Sequence, residues 1–149
     1  MLEKEIIVCV SGYFNPLHVG HIEYFEKSKI LGTKLVVIVN NDKQSFLKKG
    51  TSFMPENERL EIIRKLRIVD MAVLSIDEDR TVINTLKCIR PHIFTNGGDQ
   101  TNDLIPEKNI CEELGIKLVD GMGEKIQSSS SLLSKNSPAS SVLINILNI

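Results

Sequence analysis

Five short apolar runs, rich in β-branched residues, are separated along the chain by stretches with helical periodicity. Runs of this length and composition predict strands that are covered on both faces of a sheet. Because strands and helices alternate and crossovers are right-handed, the pattern predicts an α/β fold with a doubly wound, five-stranded parallel sheet whose first strand is central. The predicted strands are Ile6 to Val10, Lys34 to Asn40, Asp70 to Ser75, His92 to Thr95 and Ile116 to Val119.

The helices between these strands are indicated by residues that favour helix ends. Pro55 and Pro106 are each followed by a glutamate, and proline with acidic residues suits the first turn of a helix. Gly115 suits the end of the helix that follows Pro106. The segment from Lys43 to Phe53 shows no comparable pattern, and we predict an irregular loop there.

The chain has 149 residues, which is enough for one compact domain. We place that domain at residues 1–134. Residues 135–149 are predicted to be a linker and an apolar C-terminal helix, because Ser137 to Ser141 is polar whereas Val142 to Leu147 is largely apolar. This helix would either pack back on its own domain or form a subunit contact, so a homodimer is an open alternative.

Charge and composition limit the classes of partner. The net charge is −1, so there is no electrostatic basis for nonspecific binding to nucleic acid or to an anionic membrane. No apolar run reaches transmembrane length, and Met1 to Glu5 lacks the pattern of a signal peptide. The three cysteines form no CxxC pair, which favours buried, reduced thiols in a cytoplasmic protein.

The turn from Ser11 to His21 joins the first strand to the first helix and carries two histidines. His18 and His21 lie three residues apart around the first helical turn, so both rings can address one spot. Gly12 and Gly20 stand on either side of the bend, and Gly20 would let a phosphate or a base approach the backbone. Because the start of a helix also attracts anions, this turn is a candidate anion-binding site.

Three further polar segments follow predicted strands, and the carboxyl ends of parallel strands border one crevice. Together with the imidazoles of the histidine turn, the ammonium, hydroxyl and glycine backbone groups of these segments favour an anionic ligand. Neither a Ser-His-Asp or Cys-His arrangement nor a metal cage of histidines and cysteines is evident. The pattern therefore favours phosphoryl-type transfer by positioning and charge stabilisation. The three segments are Lys48-Lys49, Asn96 to Asp99, and Ser128 to Ser131.

The motif Gly12-Tyr-Phe-Asn-Pro-Leu-His18-Val-Gly-His21 resembles the H-x-G-H signature of the cytidylyltransferase-like nucleotidyltransferases. That superfamily includes glycerol-3-phosphate and ethanolamine-phosphate cytidylyltransferases, heptose-phosphate and pantetheine-phosphate adenylyltransferases, and archaeal-type FAD synthetases. The resemblance implies a Rossmann-like sheet of order 3-2-1-4-5. It also implies an enzyme that transfers a nucleoside monophosphate from ATP or CTP to a phosphorylated small molecule and releases pyrophosphate, with Mg²⁺ accompanying the triphosphate.

The same resemblance implies roles for individual residues. His18, His21 and Lys48 are the predicted catalytic residues: the histidines would stabilise charge on the α-phosphate, and the lysine would grip the phosphates. No metal-ligating residue is predicted. Candidates for phosphate or acceptor contacts are Lys49, Arg59 and Lys125, although Arg59 could instead pair with an acidic residue of its own helix. The predicted nucleotide-binding residues are Gly12, Tyr13, Phe14, Asn15, Gly20, Asn96, Gly97, Gly98, Asp99, Ser128, Ser129 and Ser130.

Departures from the family pattern bear on the substrate. Gly123 stands where the cytidylyltransferases carry an arginine, and Asn15 replaces their common aspartate. The segment from Asn96 to Asp99 resembles the K-G-G-D of heptose-phosphate adenylyltransferases, with asparagine in place of lysine. These features favour a sugar phosphate acceptor without deciding between ATP and CTP. The missing arginine also leaves open a regulatory module that binds nucleotide without turnover, and the apolar tail leaves open a scaffold domain.

Overall fold

The computed structural model describes residues 4–97 and 105–120. In this part of the chain five parallel strands form one sheet in the order β3-β2-β1-β4-β5, which confirms the predicted Rossmann-like α/β fold and its central first strand. The strands are β1 (Ile7–Gly12), β2 (Lys34–Val39), β3 (Met71–Leu74), β4 (Ile93–Thr95) and β5 (Lys117–Val119). The helices are α1 (Val19–Lys29), α2 (Asp42–Lys49), α3 (Glu56–Arg64), α4 (Ile83–Ile89) and α5 (Lys108–Leu114).

Two hydrophobic cores lie on opposite faces of the sheet because alternate residues of a strand point in opposite directions. Val8 and Val10 of β1 join a core that contains Phe25 of α1 and Ile63 of α3. Cys9, between the two valines, joins the second core, which includes residues of α4 and α5. Burial of both faces explains why β1 and β2 are continuous apolar runs. Because the central strands are parallel, their carboxyl ends lie together at one edge of the sheet.

Helix α2 contradicts the predicted irregular loop between Lys43 and Phe53. Its N-terminus is fixed by a capping box, in which the Asn41 side chain accepts from the Gln44 N–H at 2.9 Å and the Gln44 side chain accepts from the Asn41 N–H at 3.0 Å. The helix ends at Gly50, which has the left-handed φ of 74°. The spacing Asn-x-x-Gln and the glycine are the signals that the sequence interpretation missed, and they place Lys48 and Lys49 in the last turn of a helix.

Two of the three cysteines are buried. Cys9 and Cys111 are buried, as predicted, and burial raises the pKa of both thiols, whereas Cys88 is exposed. Over the described residues, no helix is both long enough and apolar enough to cross a bilayer.

Several predicted features lie outside the described residues. They are the 135–149 segment with its proposed domain boundary, the substituted position Gly123, and the predicted site residues Gly98, Asp99, Lys125, Ser128, Ser129 and Ser130.

Candidate active site

The turn after β1 is held in a compact shape by Phe14. This residue is buried with a left-handed φ of 52°, and its ring makes edge contacts with His21 and Phe25 at centroid distances of 5.0 and 5.3 Å. A Cβ atom on Gly12 would lie 2.7 Å from that ring, so only glycine fits beside it. Phe14 and Gly12 therefore shape the turn and present the following histidines, and Phe14 does so as a buried packing residue.

The two histidines form the N-terminal cap of α1 through hydrogen bonds from backbone N–H groups to their rings. His18 Nδ1 accepts from the Gly20 N–H at 3.1 Å, and His21 Nδ1 accepts from the His18 N–H at 3.1 Å. The rings stack with centroids 3.8 Å apart. Because Nδ1 is an acceptor in both residues, each neutral ring carries its proton on Nε2.

The electrostatics of the pair favour an uncharged ring at His21. Burial, followed by the proximity of His18, lowers the pKa of His21 to about 4. His21 is therefore neutral near pH 7 and can offer an Nε2–H donor. Its contribution to anion binding would be a hydrogen bond, and positive charge must come from other residues.

Lys48 supplies positive charge beside the turn. Its Nζ atom lies 4.4 Å from the centroid of the Tyr13 ring, a cation–π contact that joins the end of α2 to the turn after β1. Burial, then the neighbouring Lys49 and Arg80, lower the pKa of Lys48. The ammonium group is thus partly desolvated and close to other cations, an arrangement that an anionic ligand would relieve.

Two adjoining lobes form a crevice at the carboxyl edge of the sheet, with volumes of about 470 and 530 Å³. We call them the histidine lobe and the distal lobe. Both are lined by Ser11, Gly12, Tyr13, Lys48 and Asn96. The histidine lobe is completed by Phe14, Asn15, Pro16, His18, His21, Tyr24, Lys49 and Gly97. The distal lobe is completed by Asn40, Arg80, Thr81, Val82, Phe94, Pro106 and Glu107.

The end of β4 is held over the histidine lobe by a buried polar contact. The Tyr24 hydroxyl donates to the Thr95 carbonyl at 2.7 Å, and the Tyr24 ring lies 3.3 Å from where a Cβ atom of Gly97 would stand. The Asn96 N–H donates to the Val119 carbonyl at 2.8 Å. These contacts bring Asn96 and Gly97 next to the histidines, although they are 75 residues or more distant in sequence.

The chain matches the family model described as cytidylyltransferase-like over residues 9–144, which is most of its length. The chain belongs to the cytidylyltransferase-like family. Among curated relatives, the bifunctional protein HldE of Syntrophotalea carbinolica is 37% identical over 122 residues, and the match covers 77% of this chain but only 24% of HldE. The FAD synthase of Thermoplasma volcanium is 34% identical over 134 residues, with 87% and 93% of the two chains covered.

Solved structures support the same family fold. A crystal structure described as the lipopolysaccharide core biosynthesis protein from Thermoplasma volcanium GSS1 matches with a TM-score of 0.68 and 33% identity, covering 78% of this chain and 96% of that one. A protein of unknown function from Archaeoglobus fulgidus matches with a TM-score of 0.59 at 19% identity, which supports the fold alone. Of the two curated relatives, the chain spans about a quarter of the length of HldE and nearly all of the FAD synthase.

Arg59 is placed differently from the phosphate contact that the family resemblance implied. It is 1% exposed, and its guanidinium donates to the carbonyls of Met54, Tyr13 and Asn40 at 2.6–2.8 Å and to Asp42 Oδ1 at 2.8 Å. All three guanidinium nitrogens are engaged by protein oxygens. The structure therefore gives Arg59 a positioning role beneath the crevice. It forms an ion pair, but with Asp42 of α2 and not, as the predicted alternative had it, with an acidic residue of its own helix.

The cytidylyltransferase-like site also contains residues that the sequence interpretation missed. Arg80 and Thr81 lie in the loop after β3, and Glu107 precedes α5. Glu107 is nearly buried, and its Oε2 accepts from the Val82 N–H at 3.0 Å. A usable signal was present, because the loop after β3 also starts at the carboxyl edge of the sheet. His92, just before β4 and away from the carboxyl edge, accepts from the Ile7 N–H through Nδ1 at 2.9 Å and has a structural role.

Proposed function

We propose that this chain is a nucleotidyltransferase that transfers a nucleoside monophosphate from ATP or CTP to a phosphorylated small molecule, with a sugar phosphate as the favoured acceptor. The observation that carries the proposal is the crevice, in which two stacked histidines and Lys48 of a cytidylyltransferase-like chain line one continuous cavity. Its two lobes have the volumes expected of small-molecule sites.

The proposed reaction needs two substrates, and we assign one lobe of the crevice to each. A phosphate oxygen of the acceptor attacks the α-phosphorus of the nucleotide in line, and the bond from that phosphorus to the bridging oxygen of the β-phosphate breaks as pyrophosphate leaves. The nucleotide phosphates occupy the histidine lobe, and the acceptor occupies the distal lobe. Because Tyr13 and Lys48 line both lobes, the reacting phosphates meet beside them.

The histidines and the lysine divide the electrostatic work. His18 and His21 donate Nε2–H hydrogen bonds to phosphate oxygens, whose negative charge is redistributed in the transition state. Lys48 supplies a positive charge from the boundary between the lobes. Groups that are already oriented in the empty site stabilise such charge without reorganisation, which is the main source of rate in phosphoryl-type transfer.

Magnesium enters the proposal as the companion of the triphosphate. Within residues 4–97 and 105–120, no group of three or more histidine, cysteine, aspartate or glutamate side chains could hold a metal ion. The described residues therefore do not fit a protein-held metal centre. Mg²⁺ would neutralise phosphate charge on the nucleotide itself, and we assign no step to it.

The test is pyrophosphate release by the full chain with Mg²⁺, each of ATP and CTP, and a panel of acceptors: heptose 1-phosphate, glucose 1-phosphate, glycerol 3-phosphate, ribitol 5-phosphate and FMN. We expect acceptor-dependent release with one nucleotide. The His18→Ala and His21→Ala variants should lose at least about 100-fold in turnover, as is typical when an oriented transition-state donor is removed. Lys48→Met should do the same, whereas Lys65→Met, on the exposed end of α3, is the matched control.

Two results would contradict the proposal. Nucleotide binding without pyrophosphate release under any combination would favour the regulatory module. Turnover that persists at the wild-type rate in both histidine variants would refute the assigned roles, because the stacked pair would then only cap α1.

A further inference from the structure

The distal lobe differs from the histidine lobe in the charges that line it. Among the described residues around it, Lys48 and Arg80 are cations and Glu107 is a carboxylate. The remaining lining residues are mostly small or polar, and the apolar ones are Val82, Phe94 and Pro106. A lobe lined by two cations and a buried carboxylate suits a ligand that carries both an anionic group and hydroxyl groups.

The two cations approach each other across Tyr13. Lys48 Nζ stands 4.4 Å from the ring centroid, and Arg80 lines the same lobe as Tyr13 and Lys48. Arg80 also lies close enough to Lys48 to lower its pKa. Two like charges brought together by one phenol are unfavourable without a ligand, and a dianionic phosphate monoester between them would remove the repulsion.

Glu107 forms the other recognition point. Its exposed fraction is 8%, and one carboxylate oxygen, Oε2, is oriented by the Val82 N–H at 3.0 Å. The carboxyl group lines the distal lobe at the start of α5. A carboxylate held in one orientation accepts hydrogen bonds from hydroxyl groups, and vicinal hydroxyls of a sugar or polyol present donors in pairs.

We propose that Arg80 and Glu107 determine acceptor specificity: Arg80, with Lys48, holds the acceptor phosphate at Tyr13, and Glu107 accepts hydrogen bonds from the hydroxyls of a sugar or polyol phosphate. This inference rests on the nucleotidyl transfer proposed above. The ribityl chain of FMN also carries hydroxyls, so the inference disfavours a flavin through its ring: an isoalloxazine would require a broad apolar slot in place of this charged wall.

The kinetic test compares variants by their Michaelis constants for the two substrates. In Arg80→Leu we expect the KM for the sugar or polyol phosphate to rise at least about 10-fold, as for loss of a charged hydrogen bond, with the KM for the nucleotide unchanged within about two-fold. Glu107→Gln keeps an acceptor for the Val82 N–H and should raise the acceptor KM by about five-fold or more. Arg64→Leu and Glu113→Gln, both exposed, are the charge-matched controls.

The outcomes separate this inference from the proposed function. Pyrophosphate release with FMN alone would overturn the inference and leave nucleotidyl transfer intact. If no acceptor supports turnover, titration calorimetry of the same sugar and polyol phosphates in the presence of non-hydrolysable ATP or CTP analogues decides: binding that Arg80→Leu weakens supports the inference, and absent or unaffected binding overturns it. A KM increase for nucleotide and acceptor together would show a structural role for Arg80 and also overturn it.

Discussion

Replacement of Arg59 discriminates between a residue that binds substrate and one that positions the crevice. Its guanidinium connects three separate segments: the turn after β1 through Tyr13, the β2–α2 junction through Asn40 and Asp42, and the α2–α3 connection through Met54. We therefore expect Arg59→Met to damage stability first and nucleotide binding second.

The magnitude follows from the contacts. Removing the guanidinium leaves three backbone carbonyls without this donor and separates Asp42 from its cation. At about 1 kcal/mol for each hydrogen bond lost to a carbonyl, and less than about 1 kcal/mol for the ion pair, whose Asp42 side chain is 34% exposed, the free energy of unfolding should fall by about 3–4 kcal/mol. For a chain of this size, that corresponds to a fall of roughly 10 °C in the unfolding midpoint.

The assay is urea and thermal unfolding followed by circular dichroism, with Arg64→Met as the matched control, because Arg64 is an exposed arginine of the same helix. Arg59→Lys, which keeps the charge and part of the hydrogen bonding, should fall between the wild type and Arg59→Met. A midpoint within 2 °C of the wild type together with a large loss of ATP or CTP affinity would refute this reasoning and restore the phosphate contact that the family resemblance implied.

Two further predictions concern the turn and its histidines. Gly12→Ala would place a methyl group 2.7 Å from the Phe14 ring, and we expect a loss of about 1–3 kcal/mol in urea unfolding; unchanged stability would mean that the ring can move. The second prediction is a pH dependence, since the pKa of His21 is lowered to about 4 in the folded protein. Between pH 6.5 and pH 4 the unfolded chain binds the proton and the folded chain does not, so stability should fall as the pH falls through this window. In His21→Gln that fall should be shallower, and an identical slope would contradict the lowered pKa.

The fold could be predicted because its determinants are local. The apolar runs of β1 and β2 record burial on both faces, and the pattern of Pro55, Pro106 and Gly115 marks helix ends without knowledge of distant contacts. The determinants of helix α2 are equally local. The helix was missed because the residues from Asp42 to Lys49 are mostly polar and show no helical periodicity of apolar residues. Its signal is the capping box formed by the side chains of Asn41 and Gln44.

The site could be predicted only where one segment carries it. His18 and His21 were identifiable because both belong to a single helical turn. The environment of Tyr13 was not, since Lys48 on α2 and Arg80 in the loop after β3 lie 35 and 67 residues further along the chain. The burial of Arg59 was also beyond sequence reasoning, because an arginine on an amphipathic helix is ordinarily exposed and only the carbonyls of three other segments make its burial favourable.

The placement of charge in the crevice follows from how the fold builds each part. The histidines are stacked at the start of α1, where burial and then the proximity of His18 lower the pKa of His21 and keep it uncharged near pH 7. The cations instead stand on α2 and on the loop after β3, where the side chains of Lys48 and Arg80 are exposed. Under the proposed function, the cations would attract an anionic substrate by charge and the histidines would orient it by hydrogen bonds, so the two roles could be changed independently by mutation.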